Sequence, residues 1–273
     1  MTYFGFLLRF VGIPILILLG LAYWDHRRGR NRADRLSHWP VALGILFHVV
    51  IALLYTTPWD NYLVATKVWW YDPNLVTGLT LGWVPIEEYT FFVVQPILGG
   101  LWLWFLARHL TIPQTEEPLR NSLRRLLLLT CLAIWVTAVA ILILNWQPGT
   151  YLALELGWAL IPITIQLAFG ADILWRYRRI IFLSFVPLTL YLSTADALAI
   201  HFGTWTINPA QSLNLLIGGI LPIEEFLFFL LTNVLITFGL VLLWAKESHA
   251  RFQELRHKLL PDRSRQSPIT NTQ

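Results

Sequence analysis

The chain has 273 residues, 56% of them hydrophobic and 13% charged, whereas a soluble domain carries roughly 25% charged residues. That surplus excludes a single water-facing domain, and the net charge of +4 is spread over several segments, which excludes a nucleic-acid-binding face. A lone cysteine, Cys131, inside an apolar run excludes an internal disulfide and a cysteine-based metal cluster.

Apolar runs of about 20 residues, enough to cross ~30 Å of hydrocarbon, fall in chain order at 3–23, 39–57, 76–106, 124–144, 151–172, 180–200 and 213–244. The first carries Arg9, lacks a small-residue cleavage site and is followed by arginines, so it reads as a retained helix. The third and seventh are long enough to tilt or to extend beyond lipid. Eighteen of the twenty lysines and arginines fall after spans one, three and five and in the tail; Arg9 and Lys67 remain for the other side. This bias fits seven spans with the amino end outside and the carboxyl end in the cytosol. The expected fold is an all-α polytopic membrane protein in the cell membrane.

The sequence contains a repeat. Val84-Pro85-Ile86-Glu87-Glu88-Tyr89-Thr90-Phe91-Phe92 matches Leu221-Pro222-Ile223-Glu224-Glu225-Phe226-Leu227-Phe228-Phe229. Upstream, Asp60 aligns with Asp196, Trp69 with Trp205 and Asp72-Pro73 with Asn208-Pro209, allowing one extra residue in the second copy. Pro14 aligns with Pro162. The organisation expected is a first repeat over 1–107, a connector helix within 108–150, a second repeat over 151–245 and a cytosolic tail over 246–273. Four spans separate the copies, so both run the same way, as a parallel repeat about an axis along the membrane normal.

By these boundaries Glu87 and Glu224 each lie eleven residues into a span, roughly 16 Å deep at 1.5 Å per residue. A carboxylate there costs about 2.5–3.5 kcal/mol even on the mild insertion scale, so four of them need partners, a cavity or protons. Pro85 and Pro222 are expected to kink their helices, and Gly82, Gly218 and Gly219 to allow close packing. Adjacent carboxyls suit a coupled dyad, one member carrying a proton and the other free to take one. Aromatic faces stabilise a cation beside them. Protonating an alkene, holding the carbocation and removing a different proton would use all three parts. A proton path in a transporter and hydrogen-bonding glue between helices use the same residues.

The doubled Pro-Ile-Glu-Glu with its following Phe-Phe resembles the small membrane-embedded lycopene cyclases, in the form that fuses two units into one chain. The resemblance covers residues 1 to about 245. It implies a linear carotenoid substrate, lycopene, whose acyclic ends close to six-membered rings, giving γ-carotene and then β-carotene without net redox change. It implies no cofactor and no metal, and no dinucleotide fingerprint is present. Carried over, Glu87, Glu88, Glu224 and Glu225 form the acid/base site. Asp60 and Asp196 support it or end their helices. Phe91, Phe92, Phe228 and Phe229 wall the substrate or simply pack, with Gln95, Thr232 and Asn233 nearby. Trp69 and Trp205 read as anchors at the outer interface. Lipid and other enzymes of carotenoid synthesis are the expected partners. An ε-type or C50 carotenoid cyclase and a proton-coupled transporter are the alternatives. His48 and His201 read as packing residues, and Asp172 as the end of the fifth span. Glu155 reads as facing either the cavity or the interface.

Overall fold

The computed structural model describes residues 1–111 and 121–259. The start of the expected connector, with Arg120, and the tail from 260 onward lie outside the described residues. Seven helices are long and apolar enough to cross a membrane: α1 (Tyr3–Arg27), α2 (Val41–Ala65), α3 (Ile86–His109), α4 (Asn121–Ile143), α5 (Gln147–Arg176), α6 (Arg178–His201) and α7 (Ile223–Trp244). An eighth, α8 (Lys246–Leu259), is polar. The chain is an all-α polytopic membrane protein with small two-stranded ribbons at one end.

Those ribbons correct the expected boundaries. The third and seventh helices begin at Ile86 and Ile223, about ten residues later than their hydropathy suggests. The stretches before them form β1 (Trp69–Tyr71), β2 (Thr80–Leu81) and β3 (Val84–Pro85), and again β4 (Trp205–Ile207), β5 (Leu216–Ile217) and β6 (Leu221–Pro222). The reason lies in the prolines. Pro85 and Pro222 are extended and sit immediately before their helices. A proline pushes its predecessor out of the α region and lacks the N–H that an earlier turn would need. They start helices here rather than kinking them.

β2 and β3 form a tight hairpin, as do β5 and β6. Gly82 turns the first at φ 68°; Gly218 and Gly219 turn the second at φ 61° and 73°. Positive φ is what glycine supplies at low steric cost, so these glycines serve turns rather than helix packing. The extra residue of the second copy is accommodated in this stretch, where residues 218–220 join β5 to β6 and residues 82–83 join β2 to β3. β1 pairs antiparallel with β4, with Trp69 opposite Ile207, Trp70 opposite Thr206 and Tyr71 opposite Trp205. Aligned positions of the two copies thus face each other in reverse order, the relation that a two-fold axis produces.

The same relation appears in the helices. Pro14 and Pro162 each free the carbonyl four residues earlier, on Phe10 and Trp158. The Tyr191 hydroxyl donates to Phe10 at 3.0 Å and the Tyr55 hydroxyl to Trp158 at 2.9 Å. Tyr55 and Tyr191 each precede their aligned aspartate by five residues. Each bond joins a helix of one copy to a helix of the other. At the opposite, basic end, buried Asp25 pairs with Arg108 at 3.4 Å, while Glu247 and Arg251 of α8 bind Arg176 and Asp172 of α5. Asp172 therefore lies inside α5, tied to α8, and does not end it.

α3, α6 and α7 are the most buried spans, and α4 faces outward. α3 approaches α2 at Gly100, where an added Cβ would stand 2.5 Å from the Ile45 side chain. Gly100→Leu is expected to cost about 1–3 kcal/mol through overpacking and to lower the midpoint of a thermal ramp in detergent; an unchanged midpoint would mean the two helices separate freely.

Candidate active site

Because α3 and α7 start at Ile86 and Ile223, the paired glutamates occupy their first turns rather than their middles. The helix N-terminus favours negative charge there and offers backbone N–H groups. All four are buried: Glu87 is 1% exposed, Glu88 9%, Glu224 0% and Glu225 6%.

Adjacent residues on a helix point about 100° apart, and the two members of each pair take different partners. Glu87 accepts from the backbone N–H of Thr77 at 2.6 Å, and Glu224 from that of Leu213 at 2.7 Å. These two hold the chain that leads into each hairpin. Glu88 and Glu225 turn the other way, into one small chamber of about 50 Å³ lined by residues of both copies.

Glu88 accepts from the hydroxyls of Tyr3 and Tyr71, the latter at 3.1 Å. Burial, reinforced by adjacent Glu88, pushes the Tyr71 phenol well above its ordinary range, so it remains a donor. Trp69 Nε1 donates to the Tyr71 hydroxyl at 3.1 Å. Across the chamber Glu225 accepts from the Tyr151 hydroxyl at 2.9 Å. Asp196 accepts from Trp205 Nε1 at 3.0 Å and lies within hydrogen-bonding reach of Glu225. Asp60 lies within electrostatic reach of Glu88, and neither of its oxygens has a partner among the described residues. Trp69 and Trp205 are buried in this network, not placed as interface anchors.

Phe91, Phe228 and Phe229 wall the chamber. Phe92, Gln95 and Thr232 do not reach it; they line a separate cavity of about 670 Å³ toward the basic end. There Gln95 Nε2 donates to Thr232 Oγ1 at 2.9 Å, joining α3 to α7. Asn233 is buried away from both cavities and donates to Thr189 at 3.2 Å. His48 lines the larger cavity with Nδ1 2.8 Å from the Gly44 carbonyl.

Sequence reasoning missed Tyr3, Tyr71, Tyr151, Trp59 and Trp158. Tyr3 and Tyr151 each stand eleven residues before the aligned prolines Pro14 and Pro162, a spacing that was there to be read. Trp59 stacks on Trp158 at 4.7 Å and lies parallel to Phe228 at 6.1 Å; Trp158 lines the larger cavity, and Phe228 lines both.

Two carboxyls facing each other among aromatic walls, one from each copy, is a specific arrangement, and comparison with known proteins gives it a context. The family model for lycopene cyclase matches residues 14–106 and 148–244, one segment over each copy. The chain belongs to the lycopene cyclase family. It is 37% identical over 247 residues to a protein of Halobacterium salinarum strain R1 named lycopene beta-cyclase, covering 88% of this chain and 95% of that one. It is 32% identical over 233 residues to a bifunctional lycopene cyclase/phytoene synthase of Aspergillus oryzae, covering 84% of this chain and 37% of that longer protein. A protein of the same name from Podospora anserina is 34% identical over 201 residues, covering 70% of this chain and 33% of the other. No solved structure matches.

The division of each pair has a direct consequence. A hydrogen bond to a charged group contributes about 1.5–3 kcal/mol. Glu224→Ala is expected to speed amide exchange at Leu213 by roughly ten- to a hundredfold, read by hydrogen–deuterium exchange over residues 209–222. An unchanged rate would mean that the hairpin's own turns hold this segment.

Proposed function

We infer that this protein is a lycopene β-cyclase, in which Glu88 and Glu225 act together on one end of a linear carotenoid at a time. The observation that carries this reading is their convergence on a single aromatic-walled chamber, one carboxyl from each copy. A proton added to the terminal double bond leaves a tertiary cation. The next double bond attacks it, closing a six-membered ring and moving the positive charge to a ring carbon. Loss of a proton from the neighbouring carbon restores a double bond. One proton enters and one leaves, so no electron carrier is required. Phe91, Phe228 and Phe229 present the π faces that favour the cation in between.

The two carboxyls have different surroundings, which suit different roles. Glu88 takes two phenolic hydrogen bonds, from Tyr3 and Tyr71, and is assigned the base. Glu225 takes one, and it lies against Asp196. Two carboxyls bond to one another only when one carries a proton. Glu155, completely buried with neither oxygen partnered among the described residues, stands one helical turn beyond Tyr151, within electrostatic reach of Glu225. Its aligned position in the first copy is Leu7. The Glu225 side therefore holds extra exchangeable protons, and Glu225 is the acid. Glu87 and Glu224 support it by fixing the hairpins.

The chain sits in the cell membrane with its amino end and the acid chamber toward the outside, and α8 on the cytosolic side, because the basic residues gather at that end. Lipid surrounds the outward faces, and other enzymes of carotenoid synthesis exchange substrate and product with it.

Expression in a bacterium that accumulates lycopene is expected to yield β-carotene, with γ-carotene as the transient; ε-ring products would overturn the ring assignment. Glu88→Gln and Glu225→Gln are each expected to lower turnover by about 10²–10⁴-fold, the usual contribution of a general acid or base. Glu87→Gln, which keeps an acceptor for the Thr77 amide, is expected to lose less than about tenfold. Full activity in both of the first two variants would sink the assignment. Glu155→Leu is expected to slow turnover on the Glu225 side without altering the ring formed, and a wild-type rate would remove it from the proton supply.

A further inference from the structure

The chamber that holds Glu88 and Glu225 is too small for its task. At about 50 Å³ it falls below the ~150 Å³ apolar cavity that takes one benzene molecule. A cyclising end group must therefore open it. Phe228 is the wall it shares with the 670 Å³ cavity between α2, α5 and α7. From Phe228 that cavity follows α7 to Leu243, roughly 22 Å at 1.5 Å per residue. Its lining is overwhelmingly apolar, and it extends to the basic end beside Trp39 and Phe252.

The two-fold relation predicts a second such cavity between α6, α1 and α3, and the residues there differ in bulk. Ala52 of α2 aligns with Leu188 of α6, and Gly239 of α7 with Trp102 of α3. Pro187, aligned with Ile51, frees the Leu183 carbonyl, and Trp102 Nε1 donates to it at 3.1 Å. An indole is thus locked onto α3 where α7 carries only Gly239, against which His48 and Gln166 pack. Leu188 is buried against this side.

We propose that the α2–α5–α7 cavity is the binding site for the conjugated polyene, that one end of the molecule passes Phe228 into the acid chamber, and that this is the only one of the two related grooves to accept it. This rests on the cyclase reading above. It follows that the far end cannot reach the carboxyls while the near end is bound. The two rings of the bicyclic product come from separate binding events, with the monocyclic compound leaving and re-entering reversed.

The test uses the full-length protein in liposomes with two substrates: lycopene, and a short polyene bearing one acyclic end group. Ala52→Trp fills the cavity away from the chamber. It is expected to lower kcat/KM for lycopene by about a hundredfold, the scale of a misplaced substrate, and to leave the short polyene within about threefold of wild type. Turnover of the short polyene also reports that the variant is folded. Ile165→Trp, on the α5 wall of the same cavity, is expected to discriminate in the same way. Unchanged lycopene turnover in these variants, or equal loss of both substrates, would overturn the assignment. Isotope-labelled lycopene, followed after first turnover by excess unlabelled lycopene, is expected to leave its label in γ-carotene; label passing directly to β-carotene would overturn the single-groove reading. A wild-type protein that cyclises neither compound would instead remove the activity on which the site rests.

Discussion

Everything in this molecule is arranged around the cost of enclosing carboxyl groups in an apolar bundle. Such a group needs a donor, a proton or both. The fold supplies donors from three sources: backbone amides of the chain entering each hairpin, phenols from α1, β1 and α5, and the Trp205 indole of β4. The amides, Tyr71 and Trp205 all lie in the non-helical stretches before α3 and α7. A proline ahead of each glutamate pair ends the extended segment, starts the helix, and sets the carboxyls at a helix N-terminus. The motif is therefore a device for placing buried acids. The alternation of its two glutamates follows from the helical turn, which sends one into the hairpin and the other into the chamber.

The number of helices, their order and the existence of two copies were legible in the sequence, because hydropathy and a nine-residue match with identical spacing carry that information. The depth of the glutamates was not. Residues 76–85 and 213–222 are apolar enough to be taken for membrane helix, and hydropathy does not distinguish a buried hairpin from the first turns of a span. The prolines were the signal that should have prevailed: a residue before proline resists the α conformation, and glycines at 78, 82, 218 and 219 are turn residues. The adjacent glutamates read as a dyad within each copy, yet the two members turn apart, and Glu88 shares its chamber with Glu225 of the other copy; Phe91, Phe228 and Phe229 line that chamber and Phe92 does not. The phenols were hidden because Tyr3 and Tyr71 reach Glu88 from 85 and 17 residues away. Gln95, Thr232 and Asn233 were placed beside the site, yet Gln95 and Thr232 line the larger cavity and Asn233 lines neither; the order of residues along a helix cannot say which of two stacked cavities a face lines.

A reaction that adds one proton and removes another needs an acid and a base with different surroundings, and a perfectly two-fold structure cannot provide them. The repeated scaffold sets Glu88 and Glu225 opposite each other; its departures from symmetry make them unlike. Tyr71 faces Glu88 where Ile207 stands in the second copy. Glu155 lies near Glu225 where Leu7 stands in the first. Trp102 and Leu188 stand in one groove where Gly239 and Ala52 stand in the other. Each departure is a change of side chain at an aligned position, which is the least disruptive way for a duplicated fold to acquire direction. The same reasoning explains why the scaffold residues stay alike in both halves: Pro14 and Pro162, Tyr55 and Tyr191, and the two hairpin-pinning glutamates hold the carboxyls in register, and loosening either half would displace both members of the pair.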